Sequence, residues 1–270
     1  MSKLNKPFTY YTIIGRDPSL LEGHLENVTK YAGFDSLECE KKLLVIIYRN
    51  PTIPASTTDR IFEVCAEYNA EYVIYEEPHS NFIENLYACW NLGYQWALDG
   101  YVFRGGSDQV FSKDSFIKLY ESACDNEDEK IILQANTIEN AERNLSSRHM
   151  LLPLGNTFQD FSYEQFEKAC EEINSAVTTP LVSITQALDL WGKPTPLGSS
   201  LGYINRVDGC SWLMKKSDWE NFGPLPVIEG GITGDVIIHD RLQQAGFESF
   251  IVPGCITYHF VRGESLDVQG

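Results

Sequence analysis

The apolar positions of the first 120 residues switch repeatedly between a strand period and a helix period. Tyr10 to Ile14 is a short β-rich run, closed by the turn signal Gly15-Arg16-Asp17-Pro18. Ser19 to Tyr31 has helical spacing, with Leu21, Leu25 and Val28 on one face and Ser19 placed to cap it. Lys42 to Tyr48 carries the continuous apolar run LLVII, the pattern of a parallel strand covered on both faces. The same reading predicts a helix over Thr57 to Tyr68, a strand over Glu71 to Tyr75 and a helix over Phe82 to Leu98. A strand over Tyr101 to Phe103 and a helix over Lys113 to Ala123 follow. Strand and helix alternating through short connections predict an α/β fold with a doubly wound, mostly parallel sheet.

The periodicity then breaks. CDNEDEK, Cys124 to Lys130, is an acidic turn, and Ile131 to Gln134 reads as a strand. From Asn136 to about Arg206 the pattern is irregular, with one amphipathic helix over Tyr163 to Ile173 and a second over Ser183 to Trp191. Irregular stretches of this kind are where binding surfaces are built on a rigid sheet. Order returns with strands at Gly209 to Met214, Phe250 to Val252 and Cys255 to Tyr258, and helices at Ser217 to Phe222 and Val236 to Ala245. Gly246 stands where a helix-ending glycine belongs. No repeat or linker interrupts the chain, so residues 1–270 are expected to form a single domain.

Charge narrows the function. The formal net charge of −17 repels phosphate backbones and anionic lipid surfaces. An acidic protein that binds a nucleoside diphosphate must neutralise it locally, which a divalent cation does well. Seven cysteines, scattered singly and without a CxxC pair, read as reduced thiols. With no apolar run of membrane-spanning length and no secretion-type h-region at the start, the expected location is the cytoplasm.

Three clusters resemble the inverting GT-A glycosyltransferases of family 2. The first is Asn91-Leu-Gly93-Tyr-Gln-Trp-Ala97-Leu-Asp-Gly-Tyr101, a helix leading into the strand YVF. The second is Gly106-Ser107-Asp108 at the end of that strand, where the family keeps D-x-D. The third is Asp235 followed by Arg241-Leu242 and Gly246, then Pro253 and His259. The segment before it, CSWLMKKSDWENFGPLP, resembles the stretch preceding the family's catalytic loop, and together the likenesses span roughly residues 9–125 and 205–262.

The resemblance implies a GT-A fold: a donor half over 9–125, an irregular acceptor half over 126–262 and a tail over 263–270. It implies a Mn²⁺ or Mg²⁺ ion held by Asp108 and the distal His259, ligand types that suit those ions. A nucleotide-diphosphate sugar is then the co-substrate, transferred as a hexosyl or pentosyl group, with Asp235 as general base. The donor would be met by Gly15, Arg16, Asn50, Asn91, Arg104 and Ser107. The sequence departs from the family at Gly106, where the first aspartate of D-x-D belongs, and at Tyr48-Arg49-Asn50, where an acidic base-reading residue is expected. It departs again at Trp90, where relatives often carry Arg. The acceptor stays open among a glycan, a lipid-linked sugar, a protein and a modified DNA base. One alternative is a sugar nucleotidyltransferase of similar fold, disfavoured because the first turn is GRDP rather than G-x-G-x-R. A non-catalytic sugar- or nucleotide-binding module is the other.

Overall fold

The protein is represented by a computed structural model that describes residues 6–49, 53–76, 82–140, 150–175, 177–183, 186–187, 211–224 and 241–260. Its strands are β1 (Phe8–Ile14), β2 (Lys41–Tyr48), β3 (Glu71–Tyr75), β4 (Tyr101–Arg104), β5 (Gln109–Phe111), β6 (Ile131–Asn140), β7 (Met150–Leu152), β8 (Val182–Ser183), β9 (Trp212–Lys215) and β10 (Glu248–His259). The helices are α1 (Pro18–Glu26), α2 (Ala55–Glu67), α3 (Phe82–Trp96), α4 (Ser115–Asp125), α5 (Tyr163–Ser175) and α6 (Lys216–Phe222), with a π-helical turn at Asn27–Tyr31.

All ten of these strands belong to one sheet, ordered β3-β2-β1-β4-β9-β6-β10-β5, with β7 on β6 and β8 on β10. The strands β3, β2, β1 and β4 pair in parallel. Strand β9 then inserts antiparallel between β4 and β6, and β10 lies parallel to β6. The carboxyl ends of β1, β4, β6 and β10 therefore share one edge of the sheet, the edge at which open α/β sheets bind ligands.

Alternation along each strand sets the layers. Tyr10, Phe103, Phe111 and Phe116 pack on one face, with Tyr10 and Phe116 ring centroids 4.9 Å apart. Tyr11, Trp90, Tyr94, Trp212 and Trp219 fill the other, where the Tyr94 and Trp219 rings stack at 5.1 Å. The LLVII run of β2 is buried throughout, as a strand covered on both faces requires.

Several boundaries differ from the sequence reading for identifiable reasons. Asp17, not Ser19, caps α1: its Oδ1 accepts the N–H groups of Ser19 and Leu20, each at 3.1 Å. The helix expected to run to Tyr31 gives way at Asn27 to the π-turn, which aims the Asn27 amide at β5. There it donates to Phe111 O (3.0 Å) and accepts from Phe111 N (2.8 Å). Strand β6 runs on to Asn140, through the start of the stretch read as irregular. The two short strands expected near the carboxyl end form one strand, β10, interrupted by a bulge between Ile251 and Ile256. Gly254 sits in that bulge with φ +79°, a conformation that favours glycine. Most of the expected helix Ser183 to Trp191 and the glycine-bearing loop Val227 to Gly234 lie outside the described residues.

Candidate metal and nucleotide site

The site grows from the end of β4. After Arg104 the chain passes through Gly105, Gly106 and Ser107, and Asp108 turns it back into the short strand β5. Asp108 is 7% exposed, and its carbonyl accepts the Phe260 N–H at 3.0 Å, tying this turn to the end of β10. Across the sheet, Gln109 of β5, His259 of β10 and Glu139 of β6 are register partners in one row. Residues opposite each other in such a row project to the same side. The His259 Nε2 atom lies 3.1 Å from Asp108 Oδ2, and its Nδ1 lies 3.3 Å from Glu139 Oε1.

Burial alone would raise the Asp108 carboxyl, but the charge and hydrogen bond of His259 outweigh it and hold it below its usual range. Burial likewise works against charge on His259, yet Asp108 and then Glu139 raise its pKa well above the ordinary histidine value. His24 behaves oppositely. Burial pushes it down to about 4, although its hydrogen bond to Gln109 O (2.8 Å) works the other way. Its Nε2 meets the Tyr10 hydroxyl at 2.7 Å, so His24 is a neutral structural histidine bracing β5.

Two ligands at right angles, each about 2.1 Å from a divalent ion, stand about 3.0 Å apart. The Asp108–His259 separation of 3.1 Å fits that arrangement. Among the described residues no set of three His, Cys, Asp or Glu side chains converges on one point to hold a metal. Remaining positions would fall to phosphate oxygens and water, as is usual where a cation is bound with a nucleotide.

The other expected donor contacts are spread along the same edge or below it. Gly15 is buried and Arg16 half-buried in the bend after β1, and Ser107 is buried beside Asp108. Asn91 lies well down α3, about 13 Å from its first turn by helical rise. Arg104 is 2% exposed, with its guanidinium carbon 3.4 Å from the Trp90 ring centroid and 5.1 Å from that of Trp212. Trp90 thus packs directly on a cation supplied by the strand. Asn50 and Asp235 lie outside the described residues.

Sequence reading missed Glu139 and Gln109. Glu139 falls in a stretch read as irregular, and only the sheet register brings it to His259. Gln109 directly follows Asp108, and its Oε1 accepts the Gly106 N–H at 2.7 Å.

No sequence-family profile matches the chain, and no curated protein matches it in sequence. Solved structures do share its fold. A structure of GalNAc-T7 with UDP, GalNAc and Mn²⁺ superposes over 96% of this chain and 44% of its own, with TM-score 0.56 at 11% identity. S. aureus TarS residues 1–349 superpose over 94% of this chain and 60% of their own, with TM-score 0.57 at 10% identity. These neighbours are GT-A glycosyltransferases. The chain has the GT-A fold. A second TarS structure matches 96% of this chain and 38% of its own, with TM-score 0.57 at 11% identity. The chain thus spans between 38% and 60% of the lengths of these three chains. No helix among its described residues is long and apolar enough to cross a membrane.

Proposed function

We propose that this chain is a glycosyltransferase that moves a sugar from a nucleoside diphosphate to an acceptor hydroxyl, with inversion and with a Mn²⁺ or Mg²⁺ ion. The observation that carries the reading is the Asp108–His259 pair. Two residues far apart in sequence meet at 3.1 Å, on the ligand-binding edge of a GT-A sheet, at a separation that suits two ligands of one cation. The GalNAc-T7 neighbour, crystallised with UDP, GalNAc and Mn²⁺, supports the same chemistry.

The cation would offset the charge gathering on the departing diphosphate. The chain's own residues do the rest. Gly15, Arg16, Asn50 and Ser107 hold the donor. Arg104, enclosed between Trp90 and Trp212, contributes positive potential from beneath the site. The acceptor oxygen attacks the anomeric carbon as the bond to the diphosphate breaks, and Asp235 takes the hydroxyl proton.

A panel of sugar nucleotides screened for release of nucleoside diphosphate tests the reading, and at least one donor should be turned over. Asp235→Asn keeps the shape of the side chain, so donor affinity should hold while turnover falls by about 10²- to 10⁴-fold. Turnover near the wild-type rate in that variant would remove Asp235 from the base role. Donors bound without any turnover would favour the binding-module alternative.

A further inference from the structure

His259 has two ring nitrogens, and the structure gives them different neighbours. Nε2 looks toward Asp108, the other candidate ligand, and Nδ1 looks toward Glu139 Oε1 at 3.3 Å. Glu139 is 7% exposed and fixed by the backbone, because β6 pairs with β10 on one side and β7 on the other at this residue. We propose that Glu139 is a positioning residue of the metal site, a role that rests on the metal-dependent reading of Asp108 and His259. It accepts a hydrogen bond from Nδ1–H, which fixes the ring plane of His259 and keeps Nε2 aimed at the corner shared with Asp108.

Geometry excludes two simpler roles. Glu139 is not a third ligand of the same ion, because Nδ1 and Nε2 point to opposite sides of the imidazole. A cation on Nε2 therefore sits away from the carboxylate on Nδ1. That is consistent with the lack of three convergent ligand side chains among the described residues. Nor is Glu139 simply part of the surrounding packing, since a buried carboxylate is costly without a partner and here lies at hydrogen-bond distance from His259. A carboxylate behind a ligating histidine raises the basicity of that ligand and keeps it pre-aimed. Loss of such a partner typically weakens metal binding by about 10- to 100-fold. The arrangement also depends on the β10 bulge, whose extra residues bring His259, rather than Ile256, opposite Glu139.

The test is a titration of the full chain with Mn²⁺ alone, following the free-ion signal by electron paramagnetic resonance, with metal-free thermal unfolding as a second readout. Wild type should bind one Mn²⁺, and Asp108→Asn should lose it. Glu139→Gln, which preserves size but not charge, should weaken Mn²⁺ about 10- to 100-fold while unfolding near the wild-type temperature without metal. Glu139→Asp, which keeps the charge but withdraws it by one methylene, should fall between the two. It carries the comparison alone if the glutamine variant does not fold. Wild-type Mn²⁺ affinity in the Glu139 variants, with the ion still lost in Asp108→Asn, overturns the positioning role and leaves the metal reading standing. Equal binding by wild type and Asp108→Asn, or no binding by wild type, overturns the metal reading and the positioning role with it.

Discussion

At His259 three distant stretches of chain meet: Asp108 is 151 residues away in sequence and Glu139 is 120. The residue between the strand and Asp108 matters as much as these side chains. Gly106 stands two residues before Asp108, and a Cβ added there would come within 2.9 Å of Asp108 Oδ1. The adjacent Gln109 amide already takes the Gly106 N–H. The turn is packed around a glycine, and Gly106→Asp should add no function. It places a second carboxylate against the first, at a cost of about 1–3 kcal/mol of stability from crowding alone. Urea denaturation and nucleoside diphosphate titration should show a less stable protein that binds no more tightly than wild type. Tighter binding by the variant would show that a second carboxylate can serve the site.

The site is held in place by two irregular elements. The π-turn aims Asn27 at the outer edge of β5, where its amide replaces the neighbouring strand that Phe111 lacks. The β10 bulge shifts the register against β6 by three residues, since Ile251 faces Gln134 but Ile256 faces Asn136. Its Gly254 carbonyl accepts from Ser112 Oγ (3.0 Å) and Lys118 Nζ (3.1 Å), and its N–H donates to Asn174 Oδ1 (2.9 Å). Gly254→Ala would put a side chain at φ +79° and should cost about 1–3 kcal/mol. The new Cβ also meets Lys118, but only the far end of a flexible side chain. Adding Lys118→Ala should therefore recover little in urea denaturation, and full recovery would place the strain in the contact rather than the backbone. These two devices mark the limit of what the sequence revealed. Elements with a strong local pattern, such as the continuous apolar run of β2 and the helical spacing of α2, were legible because their burial is written locally. The strand β5 is too short to show a period, the bulge made one strand look like two, and Glu139 owes its place to register alone. Asp108 and His259 were found through motif order.

For the whole molecule, one continuous sheet joins the two expected halves: β5 of the first pairs with β10 of the second, and β4 pairs with β9. The Asp108–His259 pair lies on that seam. In a chain with net charge −17, a cation at this seam would offset the repulsion that an anionic donor meets. In the proposed reaction, donor turnover depends on a divalent ion held by this pair. The most direct measurement is release of nucleoside diphosphate from the donor the panel identifies, by chain stripped with EDTA and then resupplied with Mn²⁺, for wild type and Asp108→Asn. Wild type should lose turnover in EDTA and regain it with Mn²⁺, while Asp108→Asn stays inactive at Mn²⁺ levels that saturate wild type. Undiminished turnover in EDTA, or a fully active Asp108→Asn, would contradict the account.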